Sequence, residues 1–442
     1  MTNPDAVPRP DAMADPDAVV EAALAAGGRA AGPTLSLWAR CAPGLEDLAA
    51  AELTALGWRA PAGGDGLTTD ASVVVGRADV AALERTLRAA RTVEAVGLEL
   101  ATATATSLTA VREVVAALDL AWLPQAPFAV RAERSGPHDF TSLDLAASVG
   151  QAVIDSVAGA TGRRLPVDLD DPTVVVRAEL HDDRLRVGLA LDAEPLHRRA
   201  WRTAGHHAGL RPSTAAALLA LAGWQAGERL LDPMTGGATI PIEAALAAAG
   251  TPVRAGGARA QLAALGLADG ALAAAVAADL AEGADRLAGR GPTPAILGLE
   301  RYPRHVGLAR ANVAAAGVGA TVTVRLGDAT RLDGVDGVDV AVTNPPFGLR
   351  AGSPRMLRRL YREALARLAE RLSPGGRVAL VTPAVEPLVE GADAAGLAVA
   401  ERRGVRLGDL DATAFVLEPR RSRAQRQPSP TVDNPVDGVP PV

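Results

Sequence analysis

Val338-Asp339-Val340-Ala341-Val342-Thr343-Asn344-Pro345-Pro346-Phe347 decides how this chain is read. Its first six residues are an apolar, largely β-branched run, the pattern of a buried strand. The strand must stop at Asn-Pro. A residue before proline avoids helical backbone, and proline cannot donate to a β-ladder. The Asn side-chain carbonyl and a proline-fixed backbone carbonyl make two acceptors aimed one way. Such a pair suits the two hydrogens of an exocyclic amine on a planar, amide-like group. The ring of Phe347 offers a face on which a base can stack. Asn-Pro is also a common turn, and Pro-Pro can simply end a strand. The tetrapeptide alone therefore leaves loop and active site open, and the residues upstream decide.

From about Pro195, short apolar strands recur with room for a helix between them: Arg229–Leu231, Ala295–Leu299, Thr321–Leu326, Val338–Thr343 and Arg377–Thr382. This alternation predicts a parallel, doubly wound α/β sheet, which binds ligands at its strand tips. The first tip runs Asp232-Pro233-Met234-Thr235-Gly236-Gly237-Ala238-Thr239 into a helix. Small residues let a ligand approach the backbone, and a helix start leaves N–H groups free. Alone, this is also how a plain strand-to-helix turn reads. At the second tip, the Glu300 carboxylate suits two ribose hydroxyls. At the third, Asp328 in Gly327-Asp328-Ala329 suits an adenine amino group, although Gly-Asp also makes an ordinary turn. Asn344 is the fourth. The ordered set is far more specific than any member. No lysine is present to hold phosphates, and the Gly-x-Gly-x-x-Gly spacing of dinucleotide sites is absent. S-adenosylmethionine therefore fits better than NAD or ATP.

The bounds agree with a multidomain α/β protein. At 442 residues the chain has room for two or three domains. Apolar residues make up 48% and aromatics 2%, with Ala and Val doing most of the filling. All 45 cations are Arg, a bias that fits genome composition as well as function. The net charge of −6 excludes a global basic field, so RNA binding would rest on local patches. A single cysteine, Cys41, excludes an internal disulfide and Cys-rich zinc sites. No metal is expected from the six His, and the adjacent pair His206-His207 reads as a solvated loop. No membrane span or signal peptide is legible, so the expected location is cytoplasmic.

The N-terminal half is organised differently. Residues 1–32 and 421–442 read as disordered ends. Residues 33–105 alternate strand and helix signals: a strand at Leu35–Arg40, a helix from Leu45 to Leu56 stopped by Gly57, a strand at Ser72–Gly76, a helix at Val80–Ala90 and a strand at Val93–Leu100. Two helices on a small sheet is a ferredoxin-like pattern. Residues 106–194 form a second unit, with helices at Leu108–Leu118 and Leu143–Ala158, a strand at Phe128–Glu133, and a hairpin of Thr173–Leu180 and Arg184–Leu191. Residues 195–420 are the doubly wound domain, with an Ala-rich, helical insertion at 251–290.

These motifs carry a family resemblance from about Thr34 to Pro419. Cys41-Ala42-Pro43-Gly44-Leu45-Glu46, Phe128-Ala129-Val130-Arg131, Leu196-His197-Arg198-Arg199-Ala200-Trp201-Arg202, Leu210-Arg211-Pro212-Ser213-Thr214, Asp232-Pro233-Met234 with Gly236, Thr239-Ile240 and Glu243, and Asn344-Pro345-Pro346-Phe347 with Gly348 and Arg350 resemble the THUMP-containing guanine-N2 methyltransferases of tRNA and 23S rRNA. Leu360-Tyr361, Pro374-Gly375-Gly376 and Leu407-Gly408-Asp409-Leu410 also follow the family. It commonly has Cys at position 235 and Gly at 238, where this chain has Thr235 and Ala238. Ala238 adds a methyl at a close-approach position, and Glu300 replaces the more usual Asp.

The resemblance implies a Rossmann-like class I methyltransferase domain after ferredoxin-like and THUMP α/β domains. It implies transfer of a methyl group from S-adenosylmethionine to a guanosine N2 in RNA, with the tRNA acceptor stem, position six, as the first expectation. Asn344, Pro345, Pro346 and Phe347 are the expected catalytic residues. Asp232, Pro233, Thr235, Gly236, Gly237, Thr239, Glu300, Asp328 and Asn344 are expected at the cofactor. Arg131, Arg134, Arg177, Arg198, Arg202 and Arg350 are expected at RNA. The alternatives are a 23S rRNA guanine-N2 methyltransferase, a DNA adenine or protein-glutamine methyltransferase, or a non-catalytic RNA-binding protein. Oligomeric state is not legible.

Overall fold

The computed structural model describes residues 34–61, 63–70, 72–192, 195–202, 209–254, 262–263, 265–288, 295–347 and 354–420. The two terminal segments, His206-His207, Gly348 and Arg350 lie outside them.

The alternation at Leu35 becomes strand β1 (Leu35–Cys41), with Leu35, Leu37, Ala39 and Cys41 in a hydrophobic core. Then follow α1 (Glu46–Ala55), β2 (Thr68–Asp70), β3 (Val73–Ala78), α2 (Val80–Ala89) and β4 (Val93–Thr104). The second unit contributes α3 (Leu108–Ala116), β5 (Phe128–Ser135), α4 (Ser142–Thr161), β6 (Val174–His181) and β7 (Arg184–Ala190). Helix α4 starts in a capping box between Thr141 and Asp144 and stops at left-handed Gly162.

The two units share one sheet of order β2-β3-β1-β4-β7-β6-β5. Strand β4 is the hinge of this arrangement. Leu98 lies opposite Leu37 of β1 on one side and Leu189 of β7 on the other. The sheet is strongly curled. Arg40 on β1 pairs with Glu179 on β6 and, at 2.6 Å, with Glu133 on β5. In a flat sheet those strands would stand roughly 14 and 19 Å from β1, at about 4.8 Å per step. The curl buries Trp38 on the face away from the main core. Its ring lies on Gly97 and Gly188, where an added Cβ would come within 2.2 and 2.6 Å of ring atoms.

The second sheet follows the expected strands. Its elements are α5 (Pro212–Leu221), β8 (Leu230–Asp232), α6 (Thr239–Ala248), α7 (Gly270–Ala288), β9 (Ile296–Glu300), α8 (Pro303–Ala315), β10 (Val322–Leu326), β11 (Val338–Thr343), α9 (Pro354–Arg371), β12 (Leu372–Thr382), α10 (Val385–Ala394), β13 (Leu397–Leu407) and β14 (Leu410–Pro419). The order is β10-β9-β8-β11-β12-β14-β13, parallel through β12, with β14 antiparallel to both neighbours.

Strands β13 and β14 have no counterpart in the sequence reading. Strand β13 is an edge strand with only Leu397 and Val405 buried, so it shows no clean apolar alternation. Strand β2, three residues long and mostly exposed, escaped for the same reason. The Ala-rich insertion contains helix α7 and reaches back to the N-terminal half. Helix α7 packs on α2, and Leu262 and Leu265 join the N-terminal core. Among the described residues, no helix is long and apolar enough to cross a membrane.

Candidate active site

Parallel register lines up the four strand tips. Leu230, Leu231 and Asp232 of β8 sit beside Ile296, Leu297 and Gly298 of β9. Leu326, ending β10, sits beside Glu300. Ala341 of β11 sits beside Leu231, so Thr343-Asn344 emerge just past the level of Asp232. A right-handed crossover sheet must place these tips on one edge.

Asp232 is the hub. Its side chain is buried, and Oδ1 accepts from Thr343 Oγ1 at 2.8 Å and from Met234 N at 3.2 Å. This braces the turn after β8 against the residue before Asn344. Burial pushes the Asp232 carboxyl up to about 7 against the pull of these hydrogen bonds, and the nearby Glu300 charge adds to the rise.

Pro233, Thr235, Gly237 and Thr239 are buried and Gly236 is half-buried. The turn coils through two left-handed residues, Gly236 at φ 53° and Ala238 at φ 63°. Thr235 N donates to Leu299 O at 2.9 Å, and Asn312 of α8 holds the Gly237 carbonyl at 3.0 Å. The Ala238 side chain is buried in the core under the sheet. A left-handed backbone on a residue with a Cβ costs on the order of 1–2 kcal/mol.

The Glu300 carboxylate accepts from Gly236 N at 3.2 Å and Tyr302 N at 2.9 Å, which ties the second tip to the first. Asp328 is half-exposed. Burial works against its charge, but hydrogen bonds from Thr330 N and Oγ1 and the charges of Arg301 and Arg331 hold its pKa below the ordinary carboxylate range. Two large apolar side chains stand open at these same tips, Tyr302 at 58% and Leu326 at 57% exposure. In the tetrapeptide, Asn344 and Phe347 are half-buried, Pro345 is buried and Pro346 is exposed.

The expected RNA-facing arginines are not gathered in one place. Arg131 and Arg177 are register neighbours on β5 and β6. Arg131 donates to Leu169 O at 2.6 Å, and the Arg177 guanidinium lies 5.9 Å from the Trp38 ring centroid. Alternation puts Arg134 on the opposite face of β5, where Nη1 reaches Gly136 O at 3.4 Å. Arg198 is exposed and Arg202 half-buried on the segment before α5. The sequence reading missed Thr343, Asn312 and Tyr302. Asn312 had a faint local signal, being an amide set between Ala311 and Val313 on α8.

With this geometry in view, comparison with known proteins places the chain. The THUMP domain profile matches residues 105–190, and the "RMKL-like, methyltransferase domain" profile matches 199–413. A tRNA (guanine(6)-N2)-methyltransferase from Archaeoglobus fulgidus is 33% identical over 84% of this chain and 89% of its own length. A ribosomal RNA large subunit methyltransferase K/L from Chromohalobacter salexigens is 30% identical over 66% of this chain, but over only 40% of its own length. The crystal structure of TrmN from Thermus thermophilus superimposes with a TM-score of 0.63 at 31% identity, covering 87% of this chain and all of that one.

Proposed function

This chain belongs to the THUMP-domain, RMKL-like methyltransferase family that includes the tRNA (guanine(6)-N2)-methyltransferases, and from that premise we propose that it methylates the exocyclic N2 of a guanosine in the acceptor stem of tRNA, at position six. The observation that carries the reading is the Asp232–Thr343 brace, which joins the donor turn to the tip bearing Asn344. Near-full-length correspondence to a tRNA enzyme, against partial correspondence to an rRNA enzyme, favours tRNA over 23S rRNA.

S-adenosylmethionine is the methyl donor, and when bound its sulfonium supplies an electrophilic methyl group. The donor set fits it. Carboxylates rather than cations occupy the strand tips, matching a ligand with hydroxyls and an amino group but no phosphate. Gly236 would line its approach with buried Gly237 beside it in the turn, Glu300 would take the ribose hydroxyls, Asp328 would take the adenine amino group, and the exposed Tyr302 and Leu326 would be available to the ring. Asp232, Pro233, Thr235 and Thr239 act from beneath by holding the turn, since all four are buried.

Guanine N2 is a weak nucleophile because its lone pair is delocalised into the ring. Asn344 and the Pro345 carbonyl accept its two hydrogens and direct the nitrogen, with no strong base required. The contribution is orientation and stabilisation of positive charge developing on nitrogen. Phe347 stacks on the extruded base, worth roughly 1–3 kcal/mol. The N-terminal half holds the RNA, with Arg131 and Arg177 on its sheet and Arg198 and Arg202 on the segment leading to the catalytic domain.

The test is nucleoside mass spectrometry of unmodified tRNA and 23S rRNA incubated separately with the full chain and S-adenosylmethionine. N2-methylguanosine at acceptor-stem position six is expected. Product only in rRNA would transfer the reading to the second target, and product in neither would overturn it.

A further inference from the structure

Helix α6 begins at the donor turn, and nearly all of it is apolar. Glu243, about one turn in, is the exception, and its side chain has no solvent exposure. An isolated carboxylate in such a place would be heavily penalised. Two arginines from outside the catalytic sheet compensate it. Arg199, on the segment joining the two halves, donates Nε to Glu243 Oε1 at 2.9 Å. Arg91, in the N-terminal half between α2 and β4, donates Nη1 to Glu243 Oε2 at 3.3 Å. The two arginines are themselves linked, since Arg199 Nη2 donates to the Arg91 carbonyl at 3.0 Å. Arg91 also reaches the Leu246 carbonyl at 2.9 Å, and its own N–H rests on Glu52 of α1 at 2.8 Å.

We infer that Glu243, Arg91 and Arg199 form a positioning triad that sets the register of the RNA-holding half against the donor turn. The inference rests on the reading that the substrate is RNA held by the N-terminal half. Its physical basis is direction rather than strength. Apolar side chains of similar size would stabilise this interface as well or better. A carboxylate bridging two guanidiniums satisfies its bonds in one relative placement of helix, linker and N-terminal unit. A slide of an ångström would cost those bonds but little apolar burial. Placement on that scale governs turnover, because an ångström of error at the reacting atoms costs on the order of a hundredfold in rate.

The rest of the interface agrees. At a second point Glu94 of β4 accepts from Arg211 Nη1 at 2.6 Å and from Ser213 Oγ at 3.0 Å, just as α5 begins. At a third, the Pro43 carbonyl accepts from Arg406 N at 3.1 Å. There Gly44 (φ 88°) lies so close to the Gly404 carbonyl that any Cβ would overlap it. These contacts hold the halves together. The triad is the one that meets the helix carrying the donor turn.

The test compares the full chain with the triple variant Glu243→Leu/Arg91→Met/Arg199→Met. It reads melting temperature, S-adenosylmethionine affinity, kcat and KM on unmodified tRNA, and the position of the methylated guanosine. The triple variant should melt near the wild type and bind S-adenosylmethionine within about twofold. Its kcat should fall on the order of a hundredfold, with methyl groups spread to neighbouring guanosines. Wild-type kcat with methylation at the same guanosine alone would overturn the triad. If the triple variant does not fold, Glu243→Gln, measured well below its own melting temperature, decides on the same readouts: unchanged kcat and position overturn the proposal. Absence of RNA methylation by the wild type would instead sink the functional reading on which the triad rests.

Discussion

In the C-terminal sheet the acidic residues of the candidate site stand at or just past strand tips, whereas in the N-terminal sheet the ion-paired Arg40, Glu133 and Glu179 stand along one face. Asp232 and Glu300 end β8 and β9, Asp328 follows β10 by two residues, and parallel register gathers these tips on one edge beside Asn344. Glu133 and Glu179 are register neighbours on β5 and β6, and only the curl brings Arg40, four and three strands away on β1, to them. The first arrangement ties each tip to its neighbours mainly through hydrogen bonds with backbone N–H groups and hydroxyls. The second is internally paired, and so serves shape. The two sheets are thus held by different means, and under the proposed function the chemistry of one and the RNA-holding shape of the other should be open to separate disturbance.

The largest separation should come from Arg40→Met. It strands Glu179, which is nearly fully buried, without its cation. Breaking a buried pair from one side costs about 3–5 kcal/mol. Thermal denaturation should show that loss, while S-adenosylmethionine affinity measured below the transition stays unchanged. A parallel loss of donor affinity would mean that the two halves are not separable in this way.

Asn344→Ala should do the converse. Removing a group that meets developing charge costs roughly a hundredfold to a thousandfold in kcat. Melting temperature and donor affinity, read by calorimetry, should stay close to the wild type. Equal loss of turnover and affinity would make Asn344 a structural turn residue.

Asp232→Asn sharpens the comparison through pH. Folded Asp232 keeps its proton up to about pH 7, whereas the unfolded chain releases it near its ordinary value of 3.8. Between those limits the folded state binds more protons, so this group's stabilising contribution is full below about pH 4 and is lost as pH rises through 7. The wild type should therefore lose stability relative to Asp232→Asn, by on the order of a few kcal/mol, between pH 4 and 8. Denaturant melts of both proteins across that range are the measurement, and parallel curves would remove the brace as the source.

Ala238→Gly should have the smallest effect. Relief of the left-handed backbone, on the order of 1–2 kcal/mol, is offset by about 0.8 kcal/mol for the buried methyl. The net change should stay within about 1 kcal/mol, with unaltered donor affinity. A marked gain in affinity would show that the methyl does obstruct the ligand.

Legibility followed the same division. The five parallel strands and the tip residues were readable because buried parallel strands are continuous apolar runs and their tips follow in chain order. Edge strands β13 and β2 were not, since neither face is consistently buried. Asp232 was legible as a strand-tip residue, but its bond to Thr343 was not, because that bond spans 111 positions. Glu243 carried a partial signal as the lone acid in an apolar helix, yet nothing local points to Arg91 or Arg199.

The sheet class, the order of the tips and the strand-ending Asn344-Pro345-Pro346-Phe347 were encoded within short stretches of consecutive residues and so were readable locally. The sharing of one curled sheet by the two N-terminal units, the bracing of Asp232 against Thr343, and the holding of buried Glu243 from the other half of the chain emerged only in three dimensions. Those are pairings between distant residues, and what selects them is the cost of burying charge without a partner, which no local pattern displays.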